Sequence, residues 1–83
     1  MNVGMLWFDN DPHTALAAKV ARAADYYRQK YGQVAEVCLV HPTMLDGQAR
    51  SQPIQIQAGK VIIRGNRAIL PGHLWIGVED HGG

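Results

Sequence analysis

The sequence predicts an α+β fold: a β-α-β unit with a right-handed parallel crossover, then a β-meander, with one helix packed on a single mixed sheet. Three observations point there. An apolar run at Val3–Phe8 is followed by a long stripe of apolar residues at three- and four-residue steps. A second apolar run, Ala35–Val40, comes next. From Ile54 the apolar period falls to two, and Gly and Pro punctuate the remaining chain.

The first strand, residues 3–8, is apolar at every position but Gly4, which predicts a central strand covered on both faces. Asp9-Asn10-Asp11-Pro12 ends it. A helix over 12–31 follows, with Asp11 as N-cap and Pro12 in the first turn. Leu16, Val20, Ala23, Ala24, Tyr27 and Tyr31 build its apolar stripe, and Arg28 and Lys30 suit the negative end of its dipole. Gly32 is the expected C-cap. Tyr26 and Tyr27 point about 100° apart on a helix, so at least one of them leaves the core-facing stripe.

The second strand, 35–40, ends at His41-Pro42. A loop over 42–53 holds a helical turn near Thr43-Met44-Leu45. Strands over 54–57, 60–64, 67–70 and 74–78 complete the meander. One helix covers one face of such a sheet. The other face is too apolar to stay wet, so either the hairpins fold over it or a second chain does.

Composition sets the function classes. The chain has 83 residues, 47% of them hydrophobic, and a net charge of +1. This is one small domain, too apolar for a disordered tail and too balanced for a basic arm. Cys38 is the sole cysteine, which excludes an internal disulfide and zinc-finger spacing and fits a buried thiol in a reducing compartment. Val3–Phe8 is too short for a signal peptide and lacks a basic segment before it, and no run approaches the ~20 apolar residues of a membrane span. A cytoplasmic chain is expected. Neither Gly-x-x-x-x-Gly-Lys nor Gly-x-Gly-x-x-Gly occurs, and Ser51, the only serine, lies outside a nucleophile elbow. No catalysis and no cofactor are expected.

Three sets of residues carry the remaining readings. The first is a partner surface at Tyr26, Trp75 and Ile76, which makes the chain a homodimeric interaction module or an accessory subunit. The second is a divalent-metal site or metal-dependent hydrolase at the C-terminal ends of the first two strands. There Asp9 and Asp11 supply carboxylates, His41 an imidazole and general base, and His73 a further ligand from the turn before the last strand. The bland account of the same residues is a strand-to-helix turn capped by Asp11. The third is nucleic-acid binding by a basic hairpin, 60–67, through Lys60, Arg64 and Arg67. The near-zero net charge favours protein over nucleic acid as partner.

Overall fold

A computed structural model of the chain describes residues 3–45, 51–56 and 59–78. The elements are β1 (Val3–Phe8), α1 (Leu16–Tyr31), β2 (Val37–Val40), a 3-10 turn (Pro42–Leu45), β3 (Ser51–Ile56), β4 (Gly59–Gly65) and β5 (His73–Val78). They form an α+β domain with one helix on one mixed sheet. The strand order is β1-β5-β2-β4-β3, with β2 and β4 parallel and every other pair antiparallel. No helix among the described residues is long and apolar enough to cross a membrane.

The first two strands do run parallel, because each is antiparallel to β5. They are not neighbours: β5 is inserted between them. β1 is therefore an edge strand, not the central strand that its apolar run predicts. Only β3 and β4 of the expected meander form a hairpin; the chain leaves β4, passes β2 and returns to the sheet as β5. No strand forms over 67–70. Asn66 Oδ1 accepts from the Ala68 N–H at 2.8 Å and the Ile69 N–H donates to the Asn66 carbonyl at 3.1 Å, so local turn bonds take the groups that a ladder would need.

The helix begins later than expected, with Ala15 rather than Asp11 at its N-cap position. Asp11 spends both carboxylate oxygens on the preceding turn, accepting from the His13 N–H at 2.9 Å and the Thr14 hydroxyl at 2.7 Å. Those two bonds hold its carboxyl below the usual range, the Thr14 hydroxyl contributing most. The C-terminus is as expected: Gly32 takes a left-handed conformation (φ 70°) and its N–H donates to the Arg28 carbonyl at 2.8 Å.

The core lies between α1 and one sheet face. Val20, Ala23, Ala24 and Tyr27 of the helix meet Cys38, Val40, Val61, Ile63, Leu74 and Ile76. Tyr27 is fully buried and Tyr26 is 47% exposed, so the adjacent tyrosines divide as helix geometry requires. Burial pushes the Tyr27 phenol upward and the Cys38 thiol up to about 12. That thiol is a core hydrophobe without nucleophilic character at neutral pH.

Candidate functional site

Register assigns every described strand residue to a face. The pairing Leu6↔Trp75↔Leu39↔Arg64 runs across four strands on the face away from α1, and Phe8↔His73 and Val37↔Ile62 share that face. No described element lies across it. Of the two ways to cover it, folding-over of the hairpins is not seen among the described residues, since all five strands belong to one sheet. Exposure on this outer face is graded. Val37 is buried; Leu39, Ile62 and Trp75 are half-buried; Leu6 and Phe8 are each 60% exposed. The exposed apolar surface is therefore concentrated at the β1 side.

Trp75 organises that side. Its indole lies across Gly4, where a Cβ would overlap Cζ2 and Cε2 and stand 2.7 Å from Cη2. Only glycine leaves room for the ring. Phe8 packs on the His73 ring with centroids 4.9 Å apart. Of the other residues expected to meet a partner, Tyr26 lies on the helix side with its ring 5.2 Å from that of Trp7. Ile76 points under α1 and is fully buried, because alternation puts it opposite Trp75, so it belongs to the core. Phe8 is among the large aromatic groups that suggest a partner surface, but Leu6 is not singled out by the sequence, because the apolar run gives no sign that the strand sits at an edge.

The expected metal ligands do gather at one end of the sheet. Asp9 follows β1, His73 opens β5 and His41 follows β2. With β5 between the other two strands, Asp9 and His41 are separated by two strand spacings, about 10 Å. Each side chain is engaged locally. Asp9 Oδ1 accepts from the Asp11 N–H at 3.1 Å, and its carboxylate stands 4.0 Å from both Lys19 Nζ and an Arg22 guanidinium nitrogen. Lys19, placed on the polar side of the helix by periodicity, is buried and also donates to the Asp9 carbonyl at 3.1 Å. His41 Nδ1 accepts from the Thr43 N–H at 3.2 Å and lies 2.8 Å from the Thr43 hydroxyl. His73 Nδ1 faces the Pro71 carbonyl at 3.3 Å. Among the described residues no three of His, Cys, Asp and Glu stand close enough to hold a metal ion.

The basic residues do not form a hairpin tip. Lys60 and Arg64 lie at opposite ends of β4, about 13 Å apart at strand rise, and Arg67 sits in the turn beyond it. Arg67 borders an open cavity of about 270 Å³ with Pro42, Leu45 and Gly65, beyond the C-terminal ends of β2 and β4. Comparison of the chain with protein-family models, with curated proteins and with solved structures gives no match.

Proposed function

We propose that this chain is a small protein-interaction module that works by binding rather than bond chemistry, and that its first partner is a second copy of itself. One observation carries the reading. The sheet face opposite α1 exposes Leu6 and Phe8 at 60% beside the half-buried Trp75, Leu39 and Ile62, with no described element across it. Contiguous apolar surface of this kind marks an interaction site, and aromatic side chains are its usual anchors. The buried, unpaired Cys38 accords with a reducing, cytoplasmic setting.

Light scattering on a sizing column tests the proposal. The expected result is a dimer of twice the 9.1 kDa chain mass, dissociated by Leu39→Lys at the middle of the face. A monomer at every concentration that captures no partner would sink it.

A further inference from the structure

Among the described residues β1 is an edge strand, and its own sequence carries none of the charges or prolines that normally protect an edge. Val3-Gly4-Met5-Leu6-Trp7-Phe8 contains no charge, no proline and no polar side chain. Such an edge is a template for another strand. The opposite edge, β3, contains Pro53, which has no N–H to donate. Among the described residues β1 is paired on one side only, by β5.

The hydrogen-bonding groups that β1 turns away from β5 can be named. Asp9 and Gly72 continue the β1–β5 register, and the Asp9 N–H donates to the Gly72 carbonyl at 2.9 Å. Antiparallel bonding alternates, so Trp7 and Met5 likewise direct their N–H and C=O groups toward β5. Gly4, Leu6 and Phe8 therefore direct theirs outward. These three residues are symmetric about Leu6, and their side-chain positions are all on the outer face.

We infer that β1 of one copy pairs antiparallel with β1 of a second copy about a two-fold axis through Leu6, joining two sheets into one of ten strands. This rests on the reading of the chain as a self-associating module, and it moves the contact from the outer face to the β1 edge. With Leu6 opposite Leu6, Gly4 falls opposite Phe8 of the second copy, and every outward N–H and C=O of the three residues meets its counterpart. Paired positions stay on the same face, as the pleat demands. Phe8 of each copy then comes beside the Gly4 of the other, where the Trp75 indole lies, and the two exposed apolar patches become continuous. β1 brings no charge to the axis, and a net charge of +1 per copy adds little repulsion. The contact is isologous and closes at two copies, because the far edge is the proline-bearing β3.

Three measurements on the intact chain test the pairing. Sizing with light scattering from about 1 to 300 μM covers the range in which a small interface assembles. Amide exchange at both ends of that range reads the alternation: Met5 and Trp7 stay protected throughout, while Gly4, Leu6 and Phe8 gain about tenfold or more protection on dimerisation. Oxidation of Leu6→Cys yields a covalent dimer, since opposed Cα atoms of a bonded pair lie about 5.5 Å apart, within disulfide reach. Phe8→Cys does not, its two copies being about 14 Å apart in this register. A dimer that Leu39→Lys dissociates, with Leu6→Cys unlinked and the alternate amides still exchanging, overturns the edge pairing and leaves the face reading intact. A dimer that links through Leu6→Cys and ignores Leu39→Lys upholds the edge and overturns the face. A wild-type monomer throughout overturns this inference, whatever other protein the chain binds.

Discussion

Replacing Gly4 with alanine tests the packing of Trp75 directly. Glycine in a strand interior normally destabilises by about 0.5–1 kcal/mol relative to alanine, so Gly4→Ala in open space would be a gain. Here the added Cβ would meet the indole, with Cη2 at 2.7 Å and two further ring atoms in overlap. The indole must lift or rotate by about 1 Å to restore van der Waals contact. It has little freedom to do so, because Trp75 pairs with Leu6 on one side and Leu39 on the other. Overpacking of this kind costs about 1–3 kcal/mol, and an off-rotamer ring adds to it. The net expectation is a loss of about 1–2 kcal/mol, which lowers the Tm of a domain this small by about 5–15 °C. Thermal unfolding followed by tryptophan fluorescence reads the shift. In a Trp75→Leu background the obstacle is gone, and the same Gly4→Ala change becomes neutral or favourable, giving a coupling of about 1 kcal/mol or more. A Gly4→Ala protein that melts at or above the wild-type temperature with Trp75 in place refutes the argument.

Three further outcomes follow from the core and the sheet end. Cys38 is buried and its thiol is held at about 12 against an ordinary value of 9.0. The unfolded chain therefore ionises first as pH rises: stability is full below about pH 9 and falls between about 9 and 12, by as much as ~4 kcal/mol. Tyr27, raised by burial, acts in the same direction. Urea titrations from pH 8 to 10.5 should show the decline, with a shallower slope in Cys38→Val; equal slopes would remove the thiol from the account. Asp9→Asn leaves the buried Lys19 without its anionic neighbour at 4.0 Å, so a loss of about 1 kcal/mol is expected in thermal melts at pH 7, and an unchanged Tm would make that ion pair incidental. Gly72→Ala forces a side chain onto a backbone at φ 84°, next to the carbonyl that binds the Asp9 N–H, and should cost about 1–2 kcal/mol. A melting temperature within error of wild type would show that the turn relaxes freely.

The helix was legible because its signals are local. The stripe from Val20 to Tyr27 and the terminal Gly32 need no knowledge of the rest of the chain. Its start was misplaced because Asp11 has two local uses, capping a helix or closing its own turn, and only the bonds to His13 and Thr14 decide between them. Residues 67–70 have strand-like composition at Ile69 and Leu70, yet Leu70 is exposed and Asn66 holds the segment in a turn. The insertion of β5 between β1 and β2 is a long-range event, and no pattern within either strand records it. The candidate site inherited that blindness. The sequence identified the sheet end that collects Asp9, His41 and His73. It could not foresee that β5 keeps Asp9 from His41, that Ile76 lies in the core, or that Leu6 joins Phe8 in the exposed patch.

The largest discrepancy concerns β1. Its composition is that of a strand with neighbours on both sides and cover on both faces, and it has α1 over one face and β5 along one edge. Marginal stability gives a small domain little reason to keep leucine and phenylalanine in water at an unguarded edge, where they invite aggregation. The two descriptions agree if the environment that this sequence fits belongs to the assembly. In a dimer joined through β1, the strand becomes the centre of a ten-stranded sheet and Gly4, Leu6 and Phe8 find partners for their backbone groups, so the apolar run gains the second neighbour that its composition fits, while its outer face stays open. On that argument Leu6→Lys should leave the monomer folded, since Leu6 is 60% exposed, while weakening the dimer about tenfold or more by setting like charges opposite each other. A Leu6→Lys protein that dimerises as tightly as wild type would return β1 to the status of an ordinary, unpaired edge.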